Sequence, residues 1–180
     1  MEALELIQAC KNHQSRAQKV LFEQFAPSML TVCKRYLGND HDAEEVMLSG
    51  FLQFFQKIHQ FEYRGAGSIS AYLRQIMVNQ SLMHLRRREA IIIEEVEDTV
   101  VGTQEDPIAQ LSATEIMQLI TNLPSGYRLV FNLYVIEGMS HKQIASLLHI
   151  RDGTSKSQLS KARAMLRQMI IKMEDHGIKS

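Results

Sequence analysis

The sequence predicts an all-α protein of two small helical domains joined by an acidic linker, and three observations carry that expectation. Apolar residues recur at spacings of three and four almost wherever a period exists. The period stops between Glu89 and Gln104. Charge changes sign at the same place: residues 1–88 hold 11 Lys+Arg against 8 Asp+Glu, residues 89–114 hold seven acids and no base, and residues 115–180 hold nine bases against five acids. A net charge of zero therefore conceals two basic modules around an acidic strap, which leaves nucleic acid open as a partner.

In the first module, Leu21, Phe25, Leu30, Cys33 and Leu37 suggest two helices hinged at Pro27, since proline suits a first helical turn and not a helix interior. Gly38 ends the second, and Asn39 or Asp40 caps the next, whose stripe runs through Ala43, Val46, Met47, Phe51, Phe54, Phe55 and Ile58. Ser68 is placed to cap a further helix with Ile69, Tyr72, Leu73, Ile76, Met77, Leu82 and Leu85 inward, ending at Arg86-Arg87-Arg88. The module reads as a four- or five-helix bundle.

Ile91-Ile92-Ile93 and Val100-Val101 fit a short strand or extended chain, and we read them as linker. Asp106-Pro107 pairs a cap with a first-turn proline and predicts a helix through Ile108, Leu111, Ile116, Leu119 and Ile120 towards Leu123-Pro124. Tyr127 to Glu137 follows as a helix closed by Gly138. Ser140-His141-Lys142-Gln143 has the form of a capping box ahead of Ile144, Ala145, Leu147 and Leu148. The last helix follows Asp152-Gly153-Thr154 and runs through Leu159, Ala162, Leu166 and Ile170.

Composition excludes several classes. With 45% hydrophobic and 22% charged residues in 180, the chain has the makings of packed cores and is not wholly disordered. No uncharged apolar run is long enough to cross a bilayer, and the N-terminus has neither a basic start nor a long apolar stretch. A cytoplasmic location follows, with Cys10 and Cys33 reduced. The seven histidines are scattered, and neither a metal-ligand spacing nor a phosphate loop nor a nucleophile elbow occurs, so no metal, no cofactor and no enzymatic activity are expected. The ten methionines read as adaptable core filler.

The sharpest functional signal lies between Met139 and Gln168, where two helices flank His149-Ile150-Arg151-Asp152-Gly153. This is a helix-turn-helix layout, with Ala145 small enough for close crossing and Ile150 filling the gap. Lys156, Ser157, Gln158, Ser160, Lys161 and Arg163 form the candidate outward face of the second helix, mixing phosphate-binding cations with side chains that can bond base edges. Seven bases stand against one acid from Ser140 to Lys172. Charge alone fits a solvated face; charge together with the capping box, short turn and Ala145 favours DNA.

Leu123-Pro124-Ser125-Gly126-Tyr127-Arg128, Glu137 to Ala145, and Gly153 to Arg163 resemble the C-terminal promoter-reading domain of extracytoplasmic-function (ECF) sigma factors. Asp42-Ala43-Glu44-Glu45-Val46 with Phe51, then Tyr63-Arg64-Gly65, Tyr72-Leu73, Ile76, Val78-Asn79 and Leu85-Arg86-Arg87, resemble the other domain of that family. The resemblance spans roughly residues 15 to 170. It implies a region-2-like bundle over 1–88, an acidic linker and the start of the next helix over 89–114, and a region-4-like helix-turn-helix domain over 115–180.

It further implies that the protein binds bacterial core RNA polymerase and promoter DNA, assists strand opening, and has an anti-sigma factor as a further partner. Asp42, Glu44, Glu45, Leu48 and Ser49 would face polymerase. Tyr63, Arg64, Gly65, Ser68, Tyr72, Arg74, Asn79, Arg86 and Arg87 would capture and melt the −10 element, and the outward face named above would read the −35 element. An unpaired base calls for a loop that approaches closely and for aromatic or amide walls, which Gly65-Ala66-Gly67-Ser68 with Tyr63, Tyr72 and Asn79 supply. Tyr72 could equally be a packing residue between helices. The acidic linker would thread the RNA path of polymerase or serve as a plain solvated tether.

The chain departs from the family at four places. Leu48-Ser49 stand where Gln-Glu is common, Tyr72 where Trp is common, His149 where the turn usually has Gly, and Ser155, a possible local cap, where Val is usual. Two rival functions remain at this point: a dimeric helix-turn-helix regulator that reads a palindrome without polymerase, and a helical protein-binding adaptor.

Overall fold

The computed structural model describes residues 2–88 and 112–177, and the chain divides into two compact units, 1–88 and 89–180. Among the described residues every regular element is helical. The first unit holds α1 (Ala3–Lys11), α2 (Ser15–Leu37), α3 (Asp40–Gln56), a 3-10 turn (Ile58–Gln60) and α4 (Ser68–Arg88). Helices α2, α3 and α4 pack against one another, and α1 lies on α2.

Helix α2 runs unbroken through Pro27, so the predicted hinge is absent. Pro27 and Glu23, whose carbonyl loses its usual N–H partner, are both exposed, which leaves that carbonyl to water. Leu21 on one side, and Met29, Val32, Cys33, Tyr36 and Leu37 on the other, are buried. Packing over both halves outweighs one missing backbone bond.

Gly38 closes α2 at φ 75°, and Asn39 caps α3 by accepting from the Asp42 N–H at 2.8 Å, as the sequence predicts. Glycine at position 50 has a separate cause. A Cβ there would lie 2.5 Å from Met77 Sδ, so any side chain at position 50 would have to displace the far end of the fully buried Met77 of α4.

Ser68 begins α4 and does not cap it by the usual bond. Its hydroxyl donates to the Gly65 carbonyl at 2.8 Å and accepts from the Arg64 N–H at 3.3 Å, tying the preceding loop to the helix. The inward positions of α4 are buried as its period predicts, except Tyr72, which is half-buried.

Both cysteines are free and buried, and burial pushes the Cys33 thiol up to about 11. The thiolate is the reactive form, so neither cysteine of the native protein should be alkylated by iodoacetamide at pH 8 on the timescale that labels the urea-unfolded chain. Rapid native labelling of Cys33 would mean that the bundle opens around α2.

The second unit holds α5 (Ala113–Thr121), α6 (Ser125–Phe131), a π-helical turn (Asn132–Ile136), α7 (His141–Leu148) and α8 (Asp152–Gly177). Helix α5 starts at a full capping box, Ser112 with Glu115, a Ser-x-x-Glu signal that our reading passed over. The Asp106-Pro107 start lies outside the described residues.

Arg128 of α6 is buried and closes α5, its Nη1 donating to the carbonyls of Thr121 at 2.8 Å and Leu123 at 3.1 Å. The predicted helix from Tyr127 to Glu137 begins earlier, at Ser125, and changes type midway. The Glu137 N–H bonds the Asn132 carbonyl five residues back, and Gly138 at φ 70° turns the chain towards α7. Long α8 is the spine on which α5, α6 and α7 pack, through buried Leu159, Ala162, Leu166 and Ile170.

Candidate nucleic-acid interfaces

Helix α7 begins at the predicted capping box: Ser140 Oγ accepts from the Gln143 N–H at 3.3 Å, and Gln143 Oε1 accepts from the Ser140 N–H at 2.8 Å. It ends at His149, which takes the left-handed conformation at φ 57°, ψ 44° where glycine would be unstrained. Helix α8 then starts at Asp152, whose carboxylate at the N-terminal turn suits the helix dipole. Ala145 and Ile150 are both half-buried at the crossing.

The candidate outward face is narrower than predicted. Gln158 and Ser157 are buried, because Gln158 falls in the line Thr154, Gln158, Ala162, Leu166, Ile170 that α8 turns inward, and Ser157 sits one turn after Thr154 beside it. Lys156 is exposed, and Ser160, Lys161 and Arg163 are half-exposed. Lys156, Ser160 and Arg163 recur at four and three residues, and Arg167 continues their stripe four residues on, a member our reading missed. Lys156 pairs with Asp152 at 3.1 Å across open solvent, a contact weak enough to yield to a phosphate.

Ser155 is no cap. It is fully buried, and its Oγ lies 2.9 Å from Nδ1 of His141, the first residue of α7. The His141 ring stacks on Tyr134 of the π turn at 4.4 Å and 20°. Burial pushes the imidazole below its ordinary range, Asp152 opposes that, and Lys156 and Arg163 reinforce it.

In the first unit, the loop before α4 borders a cavity of about 510 Å³ lined by Gln60, Phe61, Glu62, Arg64, Ser68, Ala71, Tyr72 and Gln75. Aromatic rings form one wall: Tyr72 meets Phe61 at 5.2 Å and Phe54 at 6.0 Å between centroids. Lys11 Nζ donates to the Phe61 carbonyl at 2.8 Å, which pins that wall to the end of α1. Gly65 and Gly67 have φ of 104° and 89°, a turn that residues with side chains seldom adopt. Arg64 Nη2 donates to Glu62 Oε2 at 2.9 Å, and this bond holds the Glu62 carboxyl below its usual range. The pairing is solvent-exposed and offsets part of the charge of Arg64.

Of the predicted −10 residues, Arg64, Ser68 and Tyr72 line the cavity, and Gly65 shapes its loop. Tyr63 and Arg74 are half-buried beside it, and Asn79, Arg86 and Arg87 are exposed farther along α4. Ser68, Tyr72, Gln75, Asn79 and Arg86 follow helical spacing down one face, so cavity and basic end form a single track of about 27 Å at 1.5 Å per residue.

On α3 the predicted polymerase-facing set splits. Asp42 is buried, its Oδ2 accepting from Asn39 Nδ2 at 2.9 Å and lying 3.5 Å from His84 Nε2 of α4, so its role is internal. Glu44, Glu45, Leu48 and Ser49 are exposed, and Leu52, one turn beyond Leu48, is exposed with them at 60%. Leu48 and Leu52, one turn apart, thus lay a short apolar strip beside these acids on the outer face of α3. His41, Asp42 and Glu45 bring ligand atoms within 4.8 Å of one another, but the Asp42 contacts above occupy that carboxylate.

Comparison with known proteins gives two family matches: residues 21–91 match Sigma-70 region 2, and residues 113–166 match Sigma-70, region 4. The ECF RNA polymerase sigma factor SigE of Mycolicibacterium smegmatis is 29% identical over 84% of this chain and 61% of its own length. For SigW of Bacillus subtilis the figures are 28%, 77% and 81%, and for the ECF RNA polymerase sigma-E factor of Haemophilus influenzae 24%, 92% and 93%.

Proposed function

The chain belongs to the ECF RNA polymerase sigma factor family, a family of non-catalytic transcription-initiation factors, and from that premise we propose how its two units divide the work. Unit 1–88 docks on core RNA polymerase through the outer face of α3, with Glu44, Glu45, Leu48, Ser49 and Leu52, and takes a −10 base into the cavity beside Tyr72. Unit 89–180 reads the −35 duplex with Lys156, Ser160, Lys161 and Arg163. The observation that supports this most is the combination, in one chain, of an aromatic-walled cavity at the head of a polar, basic-ended track and a capped helix-turn-helix. The first suits a displaced single strand, the second a major groove.

The protein itself makes and breaks no bond. It works in the cytoplasm, alongside polymerase, and an anti-sigma factor would compete for the faces that polymerase and promoter use. No helix among the described residues is long and apolar enough to cross a membrane.

The test is run-off transcription with purified protein and sigma-free core polymerase, on genomic fragments selected by the reconstituted complex. Specific start sites that require both components are the expected result. Lys161→Ala and Arg163→Ala should each weaken promoter binding about tenfold and lower the salt slope by about one, as expected for lost phosphate contacts. A footprinted palindrome without polymerase would make the protein a dimeric regulator, and polymerase association without initiation an adaptor.

A further inference from the structure

We infer that His141 is a positioning residue for −35 reading: its ring, stacked on Tyr134 and hydrogen-bonded through Nδ1 to the buried Ser155 hydroxyl, sets the register of α8 against α7 and the π turn. The inference rests on the promoter-reading role above and extends it to a residue that neither charge nor the helix-turn-helix pattern singles out.

Three elements meet at this ring. Tyr134 comes from the π turn, His141 from the first position of α7, and Ser155 from the first turn of α8. Ser155 is fully buried, so its hydroxyl must find a partner inside the protein, and His141 Nδ1 at 2.9 Å is that partner. A neutral imidazole suits the role, accepting the Ser155 proton at Nδ1 and keeping its own on Nε2. The charged groups facing the ring are Asp152, Lys156 and Arg163, all on α8, and burial outweighs the pull of Asp152 towards protonation.

The geometry makes this contact relevant to DNA. Lys156 is the next residue after Ser155, and Ser160 and Arg163 lie one and two turns on. A helix turns through 100° per residue, so a rotation of α8 by even a small part of that, within what side chains at the helix start can absorb, swings this face relative to the groove it would enter. An apolar residue at 155 would bury as well and would place no such constraint. The irregular backbone serves the same contact: the wide Asn132–Glu137 turn and Gly138 bring the Tyr134 ring over His141.

The experiment uses the full chain with core polymerase and a promoter found by run-off, and compares Ser155→Ala, His141→Phe and the double variant. His141→Phe keeps a ring for the stack and removes the bond. Each single variant should lower affinity for promoter duplex about tenfold, reduce discrimination against a scrambled −35 sequence, and leave the salt slope unchanged. The double variant should be no weaker than the weaker single, the mark of one shared contact. His141→Asn, which keeps a polar group near the Nδ1 position, should recover affinity to within about threefold of wild type. Nitrogen NMR of the free protein should show His141 unprotonated at Nδ1, and Ser155→Ala should shift that resonance.

Independent, multiplying effects of the two single changes overturn the proposal, as do unchanged affinity and discrimination. A salt slope reduced by about one in His141→Phe overturns it too, because His141 would then be a phosphate contact. Wild-type protein that binds no promoter with core polymerase removes the functional reading and this role together, and the wild-type measurement by itself separates that case from failure of the His141 contact alone.

Discussion

Tyr72→Ala should lower the yield of open promoter complex on the order of a hundredfold while leaving affinity for −35 duplex within about twofold of wild type, since stacking on an aromatic ring contributes about 1–3 kcal/mol per base. Tyr72 is half-buried: one face meets Phe61 and Phe54, and the side chain also lines the cavity beside Arg64 and Ser68. It is thus both a packing residue and a wall open to a ligand, and the two roles separate by experiment. Tyr72→Phe keeps the ring and should keep most of the opening. Permanganate reactivity of −10 thymines reads opening, and a thermal melt of the free protein reads packing. Full permanganate reactivity in Tyr72→Ala, with a lowered melting temperature, would make Tyr72 a packing residue only.

Phe54→Ala should cost about 3–5 kcal/mol of stability, measured as a fall in the urea midpoint of the full chain. Phe54 is fully buried in α3 and carries the aromatic cluster, meeting Phe55 at 5.4 Å, Phe61 at 6.0 Å and Tyr72 at 6.0 Å. Against a typical domain stability of about 5–15 kcal/mol this is a large fraction, and it removes the backing of the cavity wall as well. A midpoint shift worth less than about 1 kcal/mol would show that the cluster closes over the gap and that the cavity does not depend on it.

The parts of the protein legible in the sequence are those governed by neighbours within a turn or two. Asn39 bonding the Asp42 N–H, Gly38 at φ 75° and the Ser140–Gln143 box are local chemistry, and each was readable from residue types at fixed spacing. The misreadings have two kinds of cause, packing that local signals do not report and a helical period read too loosely. Pro27 argues locally for a break, and packing on both sides of it overrules the argument. Asp42 reads as one acid in an acidic face until Asn39 and His84 claim it, and His84 lies 42 positions away. Gln158 and Ser157 read as outward in a run of polar residues, though the i+4 line from Thr154 to Ile170 could have placed Gln158 inside.

By itself, then, the sequence determined the helical class, the two modules of like charge with acids between them, most helix ends, and the residue types suited to a strand-capturing loop and a helix-turn-helix. Only the tertiary structure decided which of those residues share a site: that Tyr72 leans on Phe61 and Phe54 at the cavity, that Gly50 faces the Met77 side chain, and that His141 meets Ser155 across 14 residues. The physical reason is range. Caps and periods are fixed by backbone geometry within a few residues, whereas burial, stacking and a buried hydroxyl's partner depend on which helix faces are brought together, and packing of the whole core sets that.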